Sequence, residues 1–365
     1  MKKLFSNTRR VALGLAIGAM SFAASGAQAD VSFEGETVEW IIPFNEGGGS
    51  DRWARFYAPF LSEALPGKPT VAVINMPGAG STRGANHFAQ RVEPDGMTIF
   101  GSGGSTQLPY LLGDPRVEYE YSDWSVVLVS STGGVVYTTP EIAEDFAADP
   151  AATLSDNIFL LGSQGATRLD LVPLLGFEML GLDARPVFGI KGRGEGRLMF
   201  ERGEANIDWQ TSAGYLSRVV PLVEQGLAAP LFSFGSVDAD GNIVRDPTFP
   251  DIPTFVEILE KVKGEAPAGP EWEAWKAFFV AGFSAQKMVF LPKGTSDEIV
   301  AAYKSAFEEV VANADFIASS GKELGVYPQG TGETAETQLK LGTTISEDTR
   351  AWVINWLREK FNVDL

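Results

Sequence analysis

One stretch constrains the fold of this chain more than any other: Trp40-Ile41-Ile42-Pro43-Phe44-Asn45-Glu46-Gly47-Gly48-Gly49-Ser50-Asp51-Arg52-Trp53-Ala54-Arg55. Val38 to Phe44 is a near-continuous apolar run, as in a strand covered on both faces. Three glycines then turn the chain, and Ser50 or Asp51 can cap a helix. Trp53, Phe56, Tyr57, Phe60, Leu61 and Ala64 recur at helical spacing and define its buried face. Pro59 within that pattern predicts a kink, and Pro66-Gly67 ends it. Glycines let backbone N–H groups approach a ligand with no Cβ in the way. A helix start adds free N–H groups and a partial positive charge. Gly47, Gly48, Gly49 and Ser50 are therefore candidate donors to an anion. Asp51 sits awkwardly beside an anion and caps the helix or accepts from a ligand hydroxyl, amine or water. A plain strand–helix connection looks the same, and these residues alone leave both readings open.

The pattern repeats. Thr70 to Asn75 is a second strand, Gly78-Ala79-Gly80-Ser81 a second turn, and a helix with Ala85, Phe88, Ala89 and Val92 on one face follows. Met97 to Gly101 is a third strand, running into a small-residue stretch that holds Ser105. This β-α-β-α-β order implies a parallel sheet with right-handed crossovers, and ligands sit beyond the carboxyl ends of such strands. Ala79, Gly80, Ser81 and Ser105 join the candidate site on that ground. The glycine spacing of the second turn is like some dinucleotide fingerprints. The third strand, however, ends in Gly-Ser-Gly-Gly, with no acidic residue for a ribose hydroxyl.

Ser125 to Ser130 is a further strand, and Gly133 to Thr138 reads as a crossing into a second α/β lobe. There a strand from Ile158 runs into Gly162-Ser163-Gln164-Gly165-Ala166-Thr167-Arg168, with a helix expected from Thr167 to Leu180. Gly165, Thr167 and Arg168 are candidate ligand groups, Arg168 as a bidentate partner for a carboxylate or as a surface ion pair. Lys191-Gly192-Arg193-Gly194-Glu195-Gly196-Arg197 reads as a mobile, anion-friendly loop in which Lys191 and Gly192 face the ligand. A plain solvated loop fits Arg193 and Arg197 better. Phe278 to Phe283 and Lys287 to Leu291 read as the return crossing. The expected division is a signal peptide over residues 1–29, one lobe from 30–131 with 284–365, a second from 132–283, and a two-segment hinge.

Composition excludes several functions. Lys2, Lys3, Arg9 and Arg10 precede an apolar run, Val11 to Ala24, and Ala27-Gln28-Ala29 is a small-x-small cleavage site. Cleavage after Ala29 leaves 25 basic against 47 acidic residues, a balance of −22, in the periplasm. So acidic a chain is a poor partner for nucleic acid. With no cysteine and one histidine, His87, thiol chemistry is excluded and a zinc site is not expected. No serine sits in a Gly-x-Ser-x-Gly elbow with an acid and base, so an enzyme is not expected, and neither a cofactor nor a metal is called for.

These residues resemble the solute-binding proteins of tripartite tricarboxylate transporters, the Bug family. The family pattern Pro-Phe-x-x-Gly-Gly-x-x-Asp-x-x-Ala-Arg stands as Pro43-Phe44, Gly47-Gly48, Asp51 and Ala54-Arg55. Asn-Arg-Pro-Gly-Ala-Gly-Gly-x-x-Gly matches at Asn75, Pro77, Gly78, Ala79, Gly80 and Gly84, with Met76 and Ser81 as departures. Pro94-Asp95-Gly96-Met97-Thr98-Ile99 stands for Pro-Asp-Gly-Tyr-Thr-Leu, and Pro250-Asp251-Ile252-Pro253-Thr254 with Glu257 for Pro-Asp-Val-Pro-Thr-x-x-Glu. The resemblance implies an α/β periplasmic-binding-protein fold of two lobes with a ligand cleft between them. It implies a small carboxylate ligand, commonly a di- or tricarboxylate, some aromatic acids or amino acids, delivered to a large and a small membrane subunit. It implies that Gly47–Asp51 holds one carboxylate, partly through waters, and that Asn75–Gly84 faces the far end. The second lobe departs: Arg168 stands where the family often has histidine, a tyrosine is lost before Lys191-Gly192, and Asp208 fits an acidic position after the next strand. Arginine there favours a more anionic ligand. A monomer is expected. A ligand sensor for a membrane receptor, or less readily a periplasmic α/β enzyme, would use the same fold.

Overall fold

Strand Thr37–Ile42 lies inside the larger sheet, paired in parallel with Thr70–Asn75 on one side and Thr98–Gly103 on the other. The computed structural model describes residues 31–238 and 242–365, so the signal peptide expected over 1–29 lies outside the described residues. Trp40 and Ile42 point to one face with Trp53, Tyr57 and Phe307. Ile41 points to the other with Phe88, Phe100 and Phe290. Both faces are buried, which is why the strand reads as an unbroken apolar run. Trp40 meets Trp53 edge-on at 5.1 Å, tying the strand to helix Gly49–Ala64. That helix runs through Pro59 without a break in its assignment.

The sheet has six strands, in the order 329–330, 125–130, 287–291, 98–103, 37–42 and 70–75. Lys287–Leu291 runs antiparallel between Thr98–Gly103 and Ser125–Ser130. Its first residue, Lys287, therefore lies level with Gly103, at the carboxyl edge of the parallel strands.

The second lobe is a mixed α/β unit. Gly134–Thr138 lies between Ile207–Thr211 and Ala229–Ser233, all antiparallel, and Ile158–Ser163 pairs in parallel with Asp183–Phe188. The crossing segments run side by side, with Thr132 N–H donating to Phe283 O at 2.9 Å and Ser131 Oγ to Ser284 O at 2.6 Å. Phe278 to Phe283 is not extended: helix Pro270–Phe279 continues into a π-helical turn, Val280–Ser284. Aromatic contacts outweigh strand propensity there, since Trp275 and Phe279 stack at 4.9 Å and Phe283 meets Phe234 at 5.1 Å. The helix expected from Thr167 begins only at Leu171, because Asp170 draws the preceding turn onto itself.

The sequence placed all of 284–365 with the first lobe. The C-terminal helix Glu347–Phe361 instead packs Val353, Trp356 and Leu357 into the core that contains Trp275 and Phe279. That core also holds Leu108, Leu111 and Leu112.

Candidate functional site

The cleft between the lobes has a volume of about 710 Å³ and is lined by residues of both. Its first-lobe wall is the glycine turn. Gly47 has φ +73°, a left-handed conformation that favours glycine. Helix Gly49–Ala64 has Gly48 as its N-cap and no side-chain cap, so its first N–H groups are left for water or a ligand. Asp51 shapes the turn from behind. Its carboxylate accepts from Gly47 N–H at 2.8 Å and from Arg55 Nε at 2.9 Å. Arg55 donates on to Asn75 Oδ1 at 3.0 Å, and Asn75 Nδ2 to Phe44 O at 3.0 Å. The polar residues of the first two motifs thus brace the turn. Asp51 is buried and does not line the cleft, and the Gly47 N–H is already taken.

Of the fifteen residues expected from sequence, seven line the cleft: Gly47, Gly48, Gly49, Ser50, Ser105, Lys191 and Gly192. The other eight do not line it. Ser81 is buried with φ +87°, where the family pattern has glycine. Its hydroxyl donates to Ser105 O and accepts from Thr106 Oγ1, both at 3.0 Å, which holds the strained backbone. Arg168 is buried and reaches across to the first lobe, donating from Nη2 to Ala79 O at 3.0 Å. Its guanidinium occupies the space a side chain at Gly80 would need. Burial, then repulsion from Arg116, lowers its pKa. Ala79, Gly80 and Arg168 therefore form a lobe-to-lobe contact, and neither they nor Gly165 and Thr167 line the cleft.

Asp208 is likewise internal. Arg193 lies between it and Asp170, donating to both carboxylates and, at 2.7 Å, to Gly162 O. Tyr137 Oη and Gln210 Nε2 also donate to Asp208. The guanidinium stacks 4.8 Å from the Trp209 ring, whose Nε1 donates to Asp170 at 2.9 Å. Burial opposes the charge on Arg193, but Asp208 and Asp170 outweigh it and the net shift is upward. The expected mobile loop is instead the start of helix Arg193–Glu201, pinned by this cluster.

Of the cations, the sequence reading placed only Lys191 at the ligand, favoured a solvated loop for Arg193 and Arg197, and missed Arg52, Arg202, Arg218 and Lys287. The cleft is lined by seven basic side chains, Arg52, Lys191, Arg193, Arg197, Arg202, Arg218 and Lys287, against two acidic ones, Glu46 and Glu195. Arg193, Arg197 and Arg202 have carboxylate partners. Arg52 donates instead to Ser217 Oγ across the cleft. Burial, and the nearby Arg218 and Arg52, lower the pKa of Arg197. Lys287 is buried, its ammonium donates to neutral Gln286 Oε1, and desolvation lowers its pKa to about 7. Arg52 lies in the first turn of the helix that the glycines open, which is a local signal. Arg218 and Lys287 carry no local signal, because only the fold brings them here. Among the described residues no group of three or more His, Cys, Asp or Glu is placed to hold a metal ion. His87 is exposed, away from the cleft.

No family model matches the chain. BugT of Bordetella pertussis is 26% identical over 297 residues, 78% of this chain and 80% of BugT. The periplasmic binding protein BugD has the same fold, with a TM-score of 0.61, 20% identity and coverage of 90% of this chain and 98% of BugD. The chain is thus similar over most of its length to Bug proteins in sequence and in fold. A third similar protein, R. palustris Rpa4515 with adipate, superposes on this chain with a TM-score of 0.67 at 19% identity, covering 88% of this chain and 96% of the other.

Proposed function

We propose that this chain is a Bug-type solute-binding protein that captures a small organic carboxylate in the periplasm, closes its lobes around it and presents it to the large and small membrane subunits of a tripartite tricarboxylate-type transporter. One observation carries the reading. A chain of net charge −18 gathers seven cationic side chains around one cleft, beside an uncapped helix start. The local field is thereby opposite to that of the whole molecule. The glycine turn grips one carboxylate through backbone N–H groups. Arg52 and Arg218, without carboxylate partners among the described residues, and Lys191 engage the rest of the anion. The lobes divide near 131/132 and 283/284, with the C-terminal helix docked on the second, and the protein acts as a monomer. The adipate carried by Rpa4515 makes linear dicarboxylates the first candidates.

A thermal-shift panel of mono-, di- and tricarboxylates tests this. A ligand that binds only the native state raises the melting temperature by mass action. The expected result is a shift with one or more di- or tricarboxylates and none with neutral analogues such as the diamides. A panel in which neutral solutes stabilise and anions do not would refute it.

A further inference from the structure

Lys287 stands apart from the other cations of the cleft. It lies at the first position of strand Lys287–Leu291, between Gly103 and Ser130 of the flanking strands. It is 5% exposed, yet it lines the cleft. A buried ammonium normally has a carboxylate beside it, because desolvating an unpaired charge is costly. Among the described residues Lys287 has only the neutral Gln286 Oε1.

We propose that Lys287 is a specificity-determining residue of this cleft, whose ammonium pairs directly with an anionic group of the ligand, so that the ligand supplies the counter-ion the protein omits. The inference rests on the anion-binding reading above. The charged groups sharing the cleft are Glu46 and Arg52 from the first lobe and Lys191, Glu195, Arg197 and Arg218 from the second. The remaining two, Arg193 and Arg202, pair with carboxylates of the second lobe. Gly103 and Ser130 on the flanking strands do not ionise in the working range. Behind Ser130, Tyr57 is kept protonated by burial. No charged neighbour contributes to the downward shift of Lys287 toward about 7, which comes from desolvation alone. An arriving anion favours the charged form and raises that pKa again. Binding above neutral pH therefore takes up a proton, and affinity falls as pH rises past about 7.

Two measurements test this together. In the first, lysine labelled at Cε is followed by NMR through a pH titration of the empty protein and again with adipate or inorganic phosphate. One lysine is expected to titrate near 7, absent in Lys287→Met, and to move upward with either anion. In the second, calorimetry with adipate in buffers of different ionisation enthalpy compares wild type, Lys287→Arg and Lys287→Met. Wild type is expected to take up protons at about pH 8. Lys287→Arg should bind without proton uptake, since a guanidinium stays charged. Lys287→Met should remain folded and bind at least about tenfold more weakly. If phosphate raises the pKa of Lys287 while no carboxylate binds, the ammonium–anion pairing stands and the carboxylate reading fails. If the lysine titrates at its ordinary value, or Lys287→Met keeps wild-type affinity and pH profile, the proposal is overturned.

Discussion

The first-lobe and second-lobe turns approach each other across the cleft, with Asn45 Nδ2 donating to Lys191 O at 3.4 Å and Gly49 close to Thr211. They are made of different material. The Gly47–Ser50 turn presents backbone to the cleft, and Asp51 directly after it turns away to hold Gly47 and Arg55. The second lobe presents side chains, and its most conspicuous ones are consumed internally: Arg193 by Asp170 and Asp208, Arg168 by Ala79. A backbone grip is indifferent to which carboxylate it holds. On the proposed reading, selectivity falls to the cations that remain, Arg52, Lys191, Arg218 and Lys287, which come from both lobes.

That contrast breaks most visibly at Arg193. Arg193→Ala leaves two buried carboxylates without their cation, and removing one partner of a buried ion pair costs about 3–5 kcal/mol. Urea denaturation should show a loss of that order. A fully stable variant with weakened ligand binding would make Arg193 a ligand residue instead. Next in size is Lys287→Met. The folded-state pKa near 7 lies below the ordinary 10.5, so between those values the unfolded chain binds more protons and stability falls as pH drops. Removing the amine should stabilise the empty protein by about 1–4 kcal/mol, most of all below neutral pH and not at all above the ordinary lysine pKa. Melting curves across pH check the sign; a variant destabilised at acid pH contradicts it. Arg218→Ala should leave stability within about 0.5 kcal/mol of wild type. It should weaken anion binding about tenfold, less at high salt. Equal affinity in calorimetry would remove Arg218 from the site. Smallest is Ser81→Gly, where relief of the positive φ offsets two lost hydrogen bonds. A net change within about 1 kcal/mol is expected by thermal denaturation.

Much of the first lobe is legible in the sequence because its signals are local. The alternation of apolar runs and glycine turns sets three parallel strands, and one stretch carries the turn, the helix start and Asp51. The cations of the cleft are not legible that way. Arg218 lies within a broken helix, Ser212–Gly214 then a π-helical turn Tyr215–Val219, and Lys287 opens a strand that reads as core. Neither has a neighbour in sequence that marks it as cleft-facing. Arg168 shows the opposite failure. Its place after a glycine turn invites a ligand role, yet a long side chain at that position reaches past the cleft and bonds to the backbone of the other lobe. Asp208 looks like an acceptor for ligand only until Arg193 is found against it.

Native mass spectrometry of the protein purified from its periplasm in carboxylate-free buffer bears most directly on the central claim. The account predicts a mature chain beginning at Asp30 that carries one small organic anion, released on denaturation and identifiable by its mass. A neutral or cationic molecule held in the same stoichiometric way would contradict it.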